Sequence, residues 1–173
     1  MTDKGDQKMK KAIIAVLVSL IALSGLFAFD GNTSAGVAYS FDNGHYMGLS
    51  SDSTGFFGGS LGYYGGADAL FDLTDINSWK IDIMTGPAYR YAFGESGVKL
   101  TVAPAFSFTG TTTLFSAGLG GYIGADYHFT DNFGMGIGVK LGSNFLNWTY
   151  NDLKFSLSGD FFVTPSLKAV FFY

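Results

Sequence analysis

From Trp79 to Phe93 the chain alternates. Trp79, Ile81, Ile83, Thr85, Pro87, Tyr89, Tyr91 and Phe93 share one parity, and Lys80, Asp82, Met84, Gly86, Ala88, Arg90 and Ala92 the other. A period of two belongs to a β-strand, whose successive side chains point to opposite faces. The same pattern returns in Val98, Leu100, Val102, Pro104, Phe106 and Phe108, and then from Phe115 through Leu119, Ile123 and Tyr127 to Phe129. It continues in Phe133, Met135, Ile137, Val139 and Leu141, and closes the chain in Leu157, Phe161, Val163, Leu167, Ala169, Phe171 and Tyr173. Turn-forming residues separate these runs at 94–97, 109–112, 130–132 and 147–151. Upstream, strands are expected at 33–42, 45–52 and 55–73, with turns at 42–44, 51–54 and 72–78, while Gly58-Gly59 and Gly65-Gly66 read as strand glycines. Eight strands result, the second the shortest.

The charges decide which way such strands close. Lys80, Arg90, Lys99, Lys140, Lys154 and Lys168 all fall on the small, polar face, as do Asp68, Asp72, Asp82, Asp126 and Asp160; the remaining acids beyond residue 28 sit in or beside expected turns or at residue 30. A water-soluble barrel puts charge outside and apolar residues inside. Here the charged face carries most of the strand glycines, which suits the crowded concave side of a closed barrel. The apolar face then meets lipid, where a Lys or Arg at the midplane would cost about 2–4 kcal/mol. The fold expected is all-β, an eight-stranded antiparallel transmembrane up-and-down barrel. With 25 Gly, 17% aromatic and 14% charged residues, and no Cys, the composition excludes a disordered segment, a coiled coil or a disulfide-stapled module, and a net charge of −4 disfavours nucleic-acid binding.

Residues 1–28 read as an export signal, a basic start (Lys4, Lys8, Lys10, Lys11) followed by the apolar stretch 12–28, and residues 29–173 as the barrel domain. With both ends of an even-stranded barrel on the periplasmic side, Tyr91, Phe93, Tyr127, Phe129, Phe133, Phe171 and Tyr173 share that level as one aromatic girdle, and Trp79, Phe108, Phe115, Phe145 and Phe155 lie toward the other. Trp148 breaks parity, which predicts an irregularity late in the seventh strand.

This architecture, the run Gly86-Pro87-Ala88-Tyr89-Arg90 and the ending Leu167-Lys168-Ala169-Val170-Phe171-Phe172-Tyr173 resemble the small eight-stranded outer-membrane barrels of the OmpX, OmpW and OmpA-domain kind. The ending is similar to the signal read by the outer-membrane assembly machinery, with Phe171 and Tyr173 as its aromatic positions. The resemblance implies outer-membrane lipid, the assembly machinery and periplasmic chaperones as partners. It also implies a structural or surface-interaction role in a non-enzymatic protein. A monomer is expected, and any extracellular partner is left unnamed. The OmpW-like alternative is a narrow channel for small hydrophobic molecules.

Lys80, Asp82, Arg90, Lys99, Asp126, Lys140, Asp160 and Lys168 are expected to form a lumen charge network, because buried ions must pair to offset desolvation. Eight strands enclose little more than their own side chains, so a porin-like pore is not expected. Inward Tyr64, Tyr122, Phe162 and Phe172 could line a hydrophobic-ligand lumen or simply fill space. An enzyme modifying lipid A would need a His with Ser and a carboxylate. His45 near Ser40, Asp42 and Ser50 is the one set in sequence, and nothing fixes it as a triad. His128 beside Asp126 reads as an interior residue. No metal-ligand spacing and no phosphate loop occurs, and no cofactor is expected. If the first hairpin is short, strands three and eight should carry unpaired edges beyond the membrane, open to strand addition.

Overall fold

The computed structural model describes residues 30–42, 44–75, 77–149 and 154–173. The expected export signal lies outside the described residues. Eight strands, β1 (Asp30–Phe41), β2 (His45–Phe56), β3 (Leu61–Asp72), β4 (Trp79–Ala92), β5 (Val98–Thr111), β6 (Leu114–His128), β7 (Phe133–Thr149) and β8 (Lys154–Phe172), pair in sequence order into a closed antiparallel barrel. β1 and β8 complete the ring, with Asn32 opposite Phe172 and Phe41 opposite Val163. Up-and-down order follows from the short connections, since two antiparallel strands need only a tight turn between them.

The alternation becomes two surfaces. Ser34, Ser40, Ser50, Asp68, Lys80, Asp82, Asp126, Lys140 and Lys168 are buried inside, and Leu49, Leu61, Phe106, Leu119, Ile137, Phe161 and Leu167 are exposed outside. Three hydroxyls of the outer wall turn back onto the backbone. Ser51 donates to the Ser34 carbonyl at 3.1 Å, Ser53 to the Asn32 carbonyl at 3.2 Å and Thr85 to the Tyr64 carbonyl at 3.2 Å. That removes the cost of an unpaired polar group against hydrocarbon.

At the rim holding Asp30 and Tyr173, rings meet edge to face or tilted: Tyr91 and Phe93 (4.9 Å between centroids), Tyr127 and Phe129 (5.3 Å), Phe129 and Phe133 (6.2 Å), Phe133 and Phe171 (5.5 Å). Phe108 and Phe115 stack at 6.3 Å toward the far rim. The irregularity announced by Trp148 is a register shift in β7 between Asn144 and Leu146, after which Trp148 faces outward.

Three of the expected turns differ, and β1 begins at Asp30 rather than 33. The run at 51–54 is strand, not turn, and β2 continues to Phe56; the turn falls at 57–60, where Gly58, read as a strand glycine, takes φ 80°. Ser and Thr mark turns when their hydroxyls compete with the ladder, but here the ladder is intact and the hydroxyls bond across it. The expected turn at 109–112 shrinks to 112–113, with Thr111 Oγ1 accepting from the backbone of Thr113 and Leu114 (3.2 and 3.0 Å). β7 likewise runs on to Thr149.

The first hairpin is therefore longer than expected, and β2 covers the edge of β3 from Gly62 to Asp72, so β3 has no open edge. β8 does. β1 ends at Phe41 opposite Val163, whereas β7 and β8 continue to pair as far as Thr149 and Lys154. The β7–β8 hairpin thus stands above the β8–β1 seam, and among the described residues no strand pairs with the outer edge of β8 from 154 to 162.

Candidate functional site: a filled interior and an open edge

The interior is organised around Asp52. Its Oδ1 lies 2.8 Å from Lys140 Nζ and its Oδ2 accepts from Lys168 Nζ at 2.5 Å, while the Tyr64 hydroxyl donates to Oδ1 at 2.7 Å. Lys140 also donates to Asp68 Oδ1 (2.6 Å) and to Ser50 (3.3 Å), and Lys168 to the Tyr122 hydroxyl (2.7 Å). Across the lumen the rings of Tyr64 and Tyr122 stack at 4.4 Å and 7°. Residues from β2, β3, β6, β7 and β8 are thereby tied through a buried middle layer.

Toward the far rim Lys80 is the hub. Its Nζ lies 3.0 Å from Asp42, 3.2 Å from Asp82 and 3.1 Å from Ser40. Thr109 donates to Asp82 at 2.6 Å and accepts from Asn144 at 2.8 Å, and Asn144 accepts from Ser107 at 2.7 Å. Toward the terminal rim Arg90 forks onto Asp30, one arm at 3.2 Å, with its guanidinium 4.0 Å over the Phe56 ring. Asn32 donates to Asp126 at 2.8 Å. His128 stacks on Phe172 at 3.4 Å, and Lys99 sits 5.3 Å over the same ring.

Of the residues expected to form the charge network, Lys80 and Asp82 pair with each other, and Lys140 and Lys168 share Asp52. Arg90 pairs with Asp30. Lys99 and Asp126 face each other in register without an ion pair among the described residues. Asp160 stands opposite Asn144 on β8. Sequence reasoning missed Asp52, Asp42 and Asp30 because each lay in or beside an expected turn or terminus. Only inward parity within a longer β2 could have brought Asp52 in. Of the aromatics offered as ligand lining, Tyr64, Tyr122 and Phe162 pack with Phe56, Met84, Ala88, Ala103 and Ala105 as one core cluster, and Phe172 caps the terminal mouth under His128.

The His45 set does not assemble. His45 faces outward, its Nδ1 2.7 Å from the Tyr39 hydroxyl, whereas Ser40 and Asp42 hold Lys80 and Ser50 holds Lys140 inside the barrel. The wall separates the imidazole from Ser40, Asp42 and Ser50.

No family model matches the sequence, and no curated protein matches it. Solved structures do. Neisserial surface protein A superposes with a TM-score of 0.55 at 13% identity, covering 83% of this chain and 94% of that one. The N-terminal β-barrel domain of Pseudomonas aeruginosa OprF gives 0.53 at 12% identity, covering 83% and 99%. Ail, the attachment invasion locus protein of Yersinia pestis, gives 0.52 at 13% identity, covering 85% and 100%. The fold is that of the small eight-stranded outer-membrane barrels. At these identities the likeness is one of fold.

Proposed function

We propose that this is an integral outer-membrane protein, exported by its N-terminal segment, non-enzymatic, whose interior is a structural plug and whose role is to engage a partner at the cell surface. The observation that carries the reading is the β7–β8 hairpin, which stands clear of the seam, with the edge of β8 from 154 to 162 uncovered by any strand among the described residues. An open edge is a row of backbone donors and acceptors, and an extended segment of another protein can add to it as a further strand, with side-chain pockets setting preference. Leu157 and Phe161 beside that edge are strongly exposed, so an incoming strand with apolar residues at alternate positions suits it. Ail is known in complex with the heparin analogue sucrose octasulfate. Here Lys80 is turned into the lumen and the 73–78 loop presents Asp75, which argues against a polyanion as the partner.

The test uses hydrogen exchange on the refolded barrel in bicelles, with a panel of extended peptides of alternating apolar residues. Added strands should protect alternate amides between 154 and 162, and cells displaying the protein should lose adhesion when the hairpin beyond Asn144 and Phe161 is replaced by a tight turn. Unchanged exchange together with unchanged adhesion would sink the reading. Planar-bilayer recordings test the plug separately. A folded, silent barrel is expected, and discrete openings blocked by aromatic solutes would favour the conduit instead.

A further inference from the structure

On the outer wall a groove of about 540 Å³, lined almost wholly by apolar groups, runs obliquely across six strands. Its course follows from the register. One wall is a continuous cross-strand row, Leu100 opposite Ala125, Ala125 opposite Ile137, Ile137 opposite Leu167 and Leu167 opposite Val37. The other is Ile123, Val139 and Pro165, continued across the seam by Tyr39 and Met47. Between them Gly124, Gly138, Ser166 and Ala38 turn any side chain inward, so the floor is bare backbone.

From β5 to β2 the groove crosses five strand spacings, about 24 Å along the wall. It starts at Leu100, close to the terminal rim, and ends at Met47 and Tyr39, close to the far rim. That far end carries a hydrogen-bonded polar pair. The Tyr39 hydroxyl lies 2.7 Å from His45 Nδ1, and when the hydroxyl donates, the ring's proton is on Nε2, which the exposed imidazole presents at the rim.

We propose that one acyl chain of a lipid from the far leaflet lies in this groove, with a phosphate oxygen of its head group accepting from His45 Nε2. This rests on the membrane reading above. Within the apolar band the only solvent is hydrocarbon, and the groove runs from the Tyr39–His45 pair at the far rim down the apolar wall, which suits an amphiphile with its head group at that pair. Ala125 is the one small residue in the wall that includes Leu100 and Leu167, so a bulky side chain there would close the groove without touching the lumen.

The experiment is native mass spectrometry of the full barrel released from bicelles containing phosphatidic acid or diacylglycerol with the same chains, after gel mobility shows that it is folded. The wild type should retain one phosphatidic acid in preference to diacylglycerol. Ala125→Trp should lower retention about tenfold, about 1.4 kcal/mol of binding free energy, while Ile81→Trp on the opposite wall should leave it unchanged. His45→Phe should abolish the preference between the two lipids. A folded barrel that retains no lipid, or loses it equally with Ile81→Trp, overturns the groove site. A preference untouched by His45→Phe overturns the head-group contact. A chain that does not fold in bicelles overturns the membrane reading itself. Should Ala125→Trp not fold, Val37→Trp, in the same row, tests the same closure.

Discussion

Asp52 holds two lysines and a tyrosine in a buried layer, so its removal takes from Lys168 its ion-pair carboxylate and leaves Lys140 with Asp68 alone. Breaking a buried ion pair by deleting one partner costs about 3–5 kcal/mol. Asp52→Asn should therefore shift the urea midpoint of the refolded barrel by far more than Asp131→Asn in the exposed terminal-rim turn, and a midpoint equal to wild type would mean that the network contributes nothing net. Asp75, in the loop between β3 and β4, offers a readout of the opposite kind. The Ser78 hydroxyl at 2.8 Å, followed by the Asn77 backbone N–H at 3.1 Å, holds its carboxyl below the usual carboxylate value. A depressed folded-state pKa contributes stability above the unfolded-state value and loses it as pH falls through the folded one. The Asp75–Ser78 bond should accordingly persist through mildly acidic pH and disappear only below it. Carboxyl chemical shifts should show Asp75 titrating below a free aspartate, and Ser78→Ala should return it toward the ordinary value. Parity placed Lys80, Lys140 and Lys168 correctly on the inward face, because charge on a lipid face is too costly to be tolerated. Their partners were less legible, because which carboxylate meets which lysine depends on how far each strand climbs.

Among the elements, the β2–β3 turn shows where sequence patterns compete. Ser51-Asp52-Ser53-Thr54 has turn composition and Phe57-Gly58-Gly59-Ser60 follows it closely, yet only the second bends the chain. Gly58 takes φ 80°, a region that costs an L-residue with a side chain about 1–2 kcal/mol. Gly58→Val should lower the unfolding midpoint, whereas Gly65→Ala, whose added carbon meets nothing within 4 Å, should be close to neutral. Equal effects would show that the turn is not strained. Gly138 tests the filled lumen. A Cβ there would lie 2.7 Å from the Tyr122 ring, so Gly138→Leu should impair folding of the barrel outright, where in an open conduit it would only narrow the path. The order of β4 to β8 and the face each residue presents could be read from periodicity. The first hairpin could not, because hydroxyl-rich strands and hydroxyl-rich turns look alike until the neighbouring strand is known.

At the scale of the whole molecule, closure distinguishes this barrel from an open sheet, and closure predicts behaviour in bulk. The folded form should migrate differently from the heated form in detergent gels, and deletion of Tyr173 should slow assembly into membranes, with co-migration of the two forms speaking against a closed barrel. The residue-by-residue order of polarity determined, without help from anything else, that the chain forms eight strands, that its charges face inward and its apolar groups outward, and that a membrane rather than water is its natural surround. Those follow from a period of two and the cost of charge in hydrocarbon, both local to each strand. Tertiary structure alone decided that Asp52 sits between Lys140 and Lys168, that Tyr64 and Tyr122 stack across the lumen, that β8 rather than β3 keeps an open edge, and that two rows of outward side chains leave a groove between them. Each of these depends on stagger between strands, a relation among residues distant in sequence that the barrel fixes only as it closes.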